Sequence, residues 1–294
     1  MLLAMRNVLA LLLAGFTVGF KVPIRAATAA TALRAVSLPR VSDGENVDLG
    51  AALARTTEKT MLCFGTHAAD FNTVEYMQRL RVFLPKLQAK GISRVLMVVN
   101  GDASQVAKLA GLLDMPVMVE LLADPAGEAG RAFGVSRGFR PDDERLSSFA
   151  KLFVVGIGLG PPWGTLWPVM RGYLGDRNGR REWIQASLQQ GQSAGRWPDP
   201  LQLSEDGERV IANAFDNTPL LGGWGVRPFE LATLRLQNLI MQAQNWGQLK
   251  PLDDRCLTQL GGCTVVGAGG ETLYSWVDQG LCDLPDMEDL IEAL

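Results

Sequence analysis

The chain has 294 residues, of which 47% are hydrophobic and 20% are charged, and its mean hydropathy is +0.09. These values are typical of a globular protein with one large domain or two small ones, and they exclude a disordered chain and a coiled coil. The formal net charge is −3, from 28 basic and 31 acidic residues. The chain has no basic stripe with interleaved aromatic residues, so nucleic acid is not expected as a partner.

Residues 1–42 differ in composition from the rest of the chain. They contain five basic residues and no Asp or Glu. The apolar run 8–20 (VLALLLAGFTVGF) is shorter than the ~20 residues of a membrane span and is typical of the h-region of a signal peptide. The basic, Ala- and Thr-rich stretch after it is typical of a transit peptide. We therefore predict a bipartite presequence over 1–42 and delivery to a plastid, in the stroma or on the thylakoid. Mitochondrial import, secretion and an N-terminal helix of the mature fold are the alternatives.

Strands and helices are predicted to alternate in residues 57–133. Apolar runs indicate the strands, and apolar residues three and four positions apart indicate the helices. In chain order, the predicted elements are strand 60–65, helix 73–90, strand 94–99, helix 103–113, strand 117–122 and helix 124–133. This order predicts the start of a doubly wound α/β fold.

The C-terminal residues predict a hairpin and a last helix. Two strand-forming runs, 263–267 and 271–277, flank a Gly-rich loop, and a helix with carboxylates in its first turn is predicted over 285–294. Together with the N-terminal half, these elements predict an α/β, thioredoxin-like fold, βαβαβ followed by ββα. In that plan the first strand pairs antiparallel with the first hairpin strand, so Cys63 and Cys263 are expected to be cross-strand neighbours.

A large insertion of helices and loops is predicted over 134–255, between the two halves 57–133 and 256–294 of the thioredoxin-like domain. It includes an uncharged run, 153–170 (FVVGIGLGPPWGTLWPVM), for which two interpretations remain open. The run either dips into a membrane or packs as an apolar segment on the protein. Its prolines and glycines exclude a straight span, because lipid offers no partner to the freed backbone groups. A strong helix is predicted to begin at 227.

Several segments carry a resemblance to a known family. They are GTHAADFNTVEYMQRLRVFLPKLQAKGI (65–92), ADPAGEAGRAFGV (123–135) and LTQLGGCTVVGAGGETLYSWVDQGLCDLP (257–285). They resemble the peroxiredoxin-like proteins of the alkyl hydroperoxide reductase/thiol-specific antioxidant superfamily. Residues 171–179 and 227–238 are similar to a branch from cyanobacteria and photosynthetic plastids. The resemblance implies a thioredoxin-like fold, a thiol-dependent antioxidant activity, and reductants of the thioredoxin or glutathione type as partners.

The chemistry of that family needs a thiolate at the N-terminus of a helix, where the helix dipole lowers the thiol pKa. In members with a CxxC pair, the two cysteines follow the first strand. The resemblance places Asp70 and Thr73 at these two positions. Both thiols are then absent, Thr73 is expected to be the helix N-cap, and weak or no peroxidase activity is expected.

The remaining candidate groups are four cysteines and one histidine. Cys63 and Cys263 are expected to be small buried side chains in strands, although they stay weak catalytic candidates. Cys282, in the loop before the last helix, is the best candidate for an exposed thiol. The sequence does not identify a partner for Cys256. His67 is expected in a surface loop. Neither a metal site nor a nucleotide cofactor is predicted, because no metal-ligand spacing and no GxGxxG between a strand and a helix is present.

Two functions follow from these observations. The first is a plastid thiol-dependent oxidoreductase that uses a relocated cysteine or an unrecognised thiol partner. The second is a catalytically silent thioredoxin-fold protein that serves as an accessory or binding subunit of a photosynthetic or thylakoid complex. A third function, binding of a small apolar ligand or pigment, rests only on the run 153–170.

Overall fold

A computed structural model describes residues 28–156, 158, 164–196 and 199–294. The central sheet has five strands, β3 (Lys59–His67), β4 (Ile92–Asn100), β5 (Val119–Ala123), β8 (Gly262–Val266) and β9 (Thr272–Val277). Their order in the sheet is β5-β4-β3-β8-β9. Strands β3, β4 and β5 run parallel, while β8 pairs antiparallel with both β3 and β9. The predicted thioredoxin-like plan is confirmed.

Helices cover both faces of this sheet. Within the described residues, the α-helices are α1 (Ala29–Ala32), α2 (Leu49–Ala54), α3 (Phe71–Ala89), α4 (Ala103–Leu113), α5 (Glu128–Phe133), α6 (Ser148–Gly156), α7 (Leu166–Leu174), α8 (Glu182–Ser193), α9 (Pro228–Gln244), α10 (Trp246–Leu249) and α11 (Met287–Glu292). Two small antiparallel pairs are β1 (Ser37–Pro39) with β2 (Asn46–Asp48), and β6 (Leu201–Leu203) with β7 (Val210–Asn213).

The central strands are buried on both faces. Met61 and Cys63 of β3 point into the core beneath α3, α4 and α8. Leu62 and Phe64 point into the opposite core, beneath α1, α2 and α5. Side chains of a strand alternate between the two faces, so a strand covered on both sides needs apolar residues at every position. This explains why β3 and β4 read as continuous apolar runs in the sequence.

The long helix α3 begins earlier than predicted. Its N-cap residue is Asp70 rather than Thr73, and the helix runs to Ala89 with Pro85 inside it. The predicted capping role of Thr73 is wrong, because Thr73 lies in the first turn and is fully buried. Its hydroxyl hydrogen-bonds the hydroxyl of Thr66 at 2.8 Å instead of capping the backbone.

Part of the predicted presequence packs on the folded domain. Leu33 and Leu38 are buried in the core beneath α1 and α2. The backbone N–H of Val41 donates to the carbonyl oxygen of Leu121 in β5, at 2.9 Å. The folded part therefore includes residues 28–42. Residues 1–27 lie outside the described residues, and the cleavage site stays a prediction.

The insertion shares the core of the central sheet. Trp183 and Leu188 of α8, together with Leu231 and Leu234 of α9, belong to the apolar core beneath α3. The uncharged run 153–170 forms the end of α6 and the start of α7, while its residues 157 and 159–163 lie outside the described residues. Among the helices described, none combines the length and apolar character that crossing a membrane requires.

Candidate functional site

The corner, defined here as residues 66–73, joins the end of β3 to the first turn of α3. The Thr66 hydroxyl donates to an Asp70 carboxylate oxygen at 2.5 Å, and it also lies 2.8 Å from the hydroxyl oxygen of Thr73. All three side chains are buried. The carboxylate makes no hydrogen bond to the first-turn backbone of α3. The corner is thus held by oxygen atoms of three side chains, and none of these atoms can be oxidised as a sulfur can.

Gly65 lets β3 continue into the corner. A Cβ atom at this position would lie 2.8 Å from Cε of Met97 and 3.0 Å from the hydroxyl oxygen of Thr73. The sequence predicts that this strand ends at Gly65. In the structure it continues to His67. The absence of a side chain here allows β4 and the first turn of α3 to approach the strand closely.

His67 is a buried residue, so its predicted position in a surface loop is wrong. Only 1% of its surface is exposed, because it lies at the end of the extended β3. Its ring meets the ring of Trp246 edge-on, with 6.3 Å between centroids. Burial lowers the pKa of His67 below its ordinary value. No group of three or more potential metal ligands occurs in the described part of the chain.

The C-terminal loop brings Cys282 to the corner. The backbone N–H of Cys282 donates to Oδ1 of Asn72, in the first turn of α3, at 2.7 Å. The Nδ2 group of Asn72 donates to Asp278 at 3.2 Å and to the carbonyl oxygen of Gly280 at 3.3 Å. One buried amide thus holds the loop against the helix start, over a separation of more than 200 residues. The sequence contains no local signal for this contact.

Cys282 is a free thiol of intermediate exposure, so it is less open to solvent than the exposed thiol that the sequence predicts. Burial raises the pKa of its thiol to about 12, and Arg235 opposes this shift most strongly. The nearby carboxylates of Glu75 and Asp70 add to the increase, and Arg79 works against it. The thiol is therefore neutral at pH 7, although it lies beside the start of a helix.

The other three thiols are buried within the domain. Cys63 and Cys263 face each other directly across β3 and β8, so the predicted cross-strand neighbourhood is confirmed. Burial raises the pKa of Cys63 well above its ordinary value, and it raises that of Cys263 to about 12. Cys256 lies with its Sγ atom 3.8 Å from the carbonyl oxygen of Pro125, and burial raises its pKa to about 11. All four cysteines of the chain are free thiols, and none has a lowered pKa.

A charged cluster that the sequence did not reveal lies next to Cys282. Oε1 of Glu75 accepts a hydrogen bond from Arg79 at 2.7 Å, and Oε2 accepts one from Arg235 of α9 at 3.3 Å. Burial works to raise the pKa of Glu75, but the charges of Arg235 and Arg79 outweigh it and hold the pKa below its ordinary value. The four-residue spacing of Glu75 and Arg79 could have predicted one pair. The partner on α9 could not be predicted from spacing.

The fold and this corner together define a thioredoxin-like protein, in which the helix after the first central strand begins at the candidate site. The chain belongs to the AhpC/TSA antioxidant enzyme family, whose model matches residues 79–280. A search of curated proteins found no match to the chain. The matched residues begin within α3, after Asp70 and Thr73. The correspondence of these two residues to the cysteines of a CxxC pair therefore stays a prediction.

Proposed function

We propose that this member of the AhpC/TSA family does not turn over peroxide at its corner, and that it acts as a thioredoxin-fold accessory or binding subunit. The observation that carries the proposal is the hydrogen-bonded set of Thr66, Asp70 and Thr73 at the start of α3. Peroxide reduction by this family needs a nucleophilic sulfur, which hydroxyl and carboxylate groups do not replace.

The ionisation of the existing thiols supports the same conclusion. A thiol with a pKa of about 12, as for Cys282 and Cys263, is ionised in roughly one molecule in 10⁵ at pH 7. Because the thiolate is the species that attacks peroxide, turnover through either sulfur is expected to be slow.

The test is a peroxide-consumption assay with thioredoxin or glutathione as the reductant. We expect no cysteine-dependent turnover by the wild-type protein and no change in Cys282→Ser. The double variant Asp70→Cys/Thr73→Cys introduces a CxxC pair at the start of α3. Its activity in the same assay shows whether this fold can support thiol-dependent peroxide reduction. Robust wild-type turnover that Cys282→Ser abolishes would refute the proposal.

A second candidate function is a thiol-dependent oxidoreductase that uses Cys282. The hydrogen bond from the backbone N–H of Cys282 to Asn72 favours it, because this bond holds a cysteine residue next to the first turn of α3. Mass spectrometry of all four cysteines, labelled before and after peroxide treatment, separates the two functions. Selective loss of labelling at Cys282, together with turnover, would favour the oxidoreductase.

The accessory role is supported by apolar side chains on the surface of two contacting insertion helices, α7 and α9. These exposed side chains are Trp167, Met170, Leu174, Phe229, Leu236 and Leu239. Exposed apolar residues grouped on neighbouring helices are typical of a surface that binds a partner. We propose a thylakoid protein complex as the partner, in line with the resemblance to the photosynthetic branch.

Fractionation of plastids tests this partner. We expect the protein to co-purify with thylakoid complexes, and we expect Leu236→Asp/Leu239→Asp to release it. Leu252→Asp, an exposed leucine outside both helices, is the matched control and should have no effect. If the protein is found only in the soluble stroma, the proposed thylakoid role is contradicted. The proposal that the corner does not turn over peroxide is not affected by that result.

Delivery to a plastid is part of the proposal. It rests on the signal-like run 8–20 and on the basic, acid-free stretch that follows it. Because residues 28–42 pack on the domain, we propose that the cleaved part ends upstream of residue 28. Fusion of residues 1–27 and of 1–42 to a fluorescent protein tests the targeting. Export to the medium or import into mitochondria would contradict it.

A further inference from the structure

Helix α6 turns its charged residue inward and its aromatic residues outward. Lys151 is 4% exposed, and its Nζ group donates to the carbonyl oxygen of Pro141 at 3.0 Å. Phe149 and Phe153, one helical turn apart, are 77% and 56% exposed, with 6.2 Å between the centroids of their stacked rings. A surface helix of a globular protein normally has the opposite arrangement, with its charged residues facing water. The outer face of α6 is therefore suited to an apolar environment.

The next helix along the chain, α7, also has an exposed apolar face. None of its nine residues is buried. Trp167, Met170 and Leu174 are exposed at spacings of three and four residues, so they share one face of the helix. The backbone N–H of Leu166, at the start of α7, donates at 2.9 Å to the carbonyl oxygen of Gly158, two residues after the end of α6. The two exposed faces thus belong to consecutive helices that are tied together close to their adjoining ends.

The charge of this region differs from that of the whole chain. Residues 148–181 contain five basic residues and one acidic residue, whereas the formal net charge of the chain is −3. Two of the basic residues pair with carboxylates of other elements. Arg171 and Arg177 are exposed and form no ion pair among the described residues. Because Arg171 lies four residues after Trp167, positive charge accompanies the apolar face of α7.

This combination of features is typical of helices that lie in a membrane interface. Such helices present Trp, Phe and Leu side chains to the acyl boundary and carry Lys or Arg on the polar side, where anionic headgroups attract them. A helix of nine residues is ~14 Å long, less than half of the ~30 Å hydrocarbon core, so α6 and α7 can lie on a bilayer but cannot cross it. Of the two interpretations of the run 153–170, contact with a membrane is the one that the exposed faces favour.

We propose that α6 and α7 form a binding surface for an anionic lipid bilayer, with Phe149, Phe153 and Trp167 at the boundary between headgroups and acyl chains. The apolar side chains supply most of the affinity, and Arg171 and Arg177 supply the preference for anionic lipid. The surface shares α7 with the one proposed for a protein partner, but it includes α6 instead of α9. It does not depend on that partner or on the chemistry of the corner.

The test is co-sedimentation with lipid vesicles. One set of vesicles contains phosphatidylcholine and phosphatidylglycerol, and the other contains phosphatidylcholine alone. The protein used is residues 28–294, which contain every element of the described fold, because the apolar run 8–20 would add its own affinity for lipid. We expect binding to the anionic vesicles, weaker binding to the neutral vesicles, and a loss of this preference at high salt.

Two double variants separate the apolar and the electrostatic contributions. Phe149→Asp/Phe153→Asp is expected to weaken binding to anionic vesicles at least tenfold, because two aromatic side chains no longer enter the interface. Arg171→Gln/Arg177→Gln is expected to weaken it at least fivefold. All four side chains are exposed, so the fold should be retained, and circular dichroism checks this. The matched controls alter exposed residues of other elements and should bind like the wild type: Val117→Asp/Leu220→Asp and Arg55→Gln/Arg209→Gln.

Four results would count against the proposal. Absence of binding to anionic vesicles would overturn it, as would wild-type affinity in Phe149→Asp/Phe153→Asp. Equal binding to both sets of vesicles would overturn the assignment of the lipid as anionic. Leu236→Asp/Leu239→Asp on α9 should keep vesicle binding, and loss of binding in this variant would overturn the placement of the surface on α6 and α7. Co-purification with a thylakoid protein complex, without vesicle binding, would overturn this proposal and leave the accessory role standing.

Discussion

Replacing Glu75 by glutamine tests the central electrostatic link between α3 and the insertion. The carboxylate is 3% exposed and pairs with two arginines, so Glu75→Gln leaves both guanidinium groups without a counter-charge. Removing one partner of a buried ion pair costs about 3–5 kcal/mol. A domain of 150–250 residues loses roughly 2–4 °C of its unfolding midpoint per kcal/mol. We therefore expect the midpoint at pH 7 to fall by roughly 6–20 °C in thermal unfolding followed by circular dichroism.

A matched control exists in Glu120, which also pairs with two arginines, Arg40 and Arg94. Glu120 is partly exposed, and solvent-screened pairs contribute only about 0–1 kcal/mol each. Glu120→Gln loses two such pairs and is therefore expected to lower the midpoint by at most about 8 °C, and by less than Glu75→Gln does. Equal effects of the two substitutions would contradict the argument that burial sets the magnitude.

The pH dependence of Glu75→Gln follows from the lowered pKa of Glu75 in the folded state. A carboxyl group whose pKa is lowered by folding stabilises the protein above its unfolded pKa, and this contribution is lost as the pH falls through the folded pKa. The difference between the wild type and Glu75→Gln should therefore be full at pH 7 and should shrink below about pH 4. A difference that stays constant between pH 7 and pH 3 would refute the reasoning.

Three further predictions concern the N-terminal layer, the corner and the thiols. Removal of residues 1–42 should destabilise the protein by about 3–6 kcal/mol relative to removal of residues 1–27, because Leu33 and Leu38 are then lost from the core. Thermal unfolding of the two shortened proteins measures the difference in stability. Gly65→Ala should destabilise the protein by about 1–3 kcal/mol, since its Cβ would overlap the corner, whereas Gly111→Ala in an open helix position should not. Equal midpoints of these two variants would contradict the close packing at the corner. In native labelling with iodoacetamide at pH 8, Cys282 should react first, and the other cysteines should react only on unfolding, as mass spectrometry of the peptides will show.

Much of the sheet could be predicted from local patterns. The apolar runs of β3 and β4, the Gly-rich turn between β8 and β9, and the helical spacing of α3 and α4 each act over a few residues. At α4 the local signal is complete, because Asp102 and Gln105 form a reciprocal capping box and Asp114 ends the helix in a left-handed conformation. Such signals determine where an element lies, whatever surrounds it.

The composition of the candidate site depended on contacts between distant parts of the chain. Asn72 and Cys282 are 210 residues apart, and Glu75 and Arg235 are 160 residues apart. The burial of His67 resulted from the extension of β3 past Gly65, which depends on the neighbouring strand and helix.

The sequence by itself determined the class of fold, the order of the strands in the central sheet and the absence of a CxxC pair. Only the tertiary structure decided that Cys282 reaches the corner as a neutral thiol and that residues 28–42 belong to the folded domain. The physical reason is that strand and helix formation respond to near neighbours in the chain. Burial, pKa and charge balance respond instead to every group that packing brings close, irrespective of its distance along the sequence.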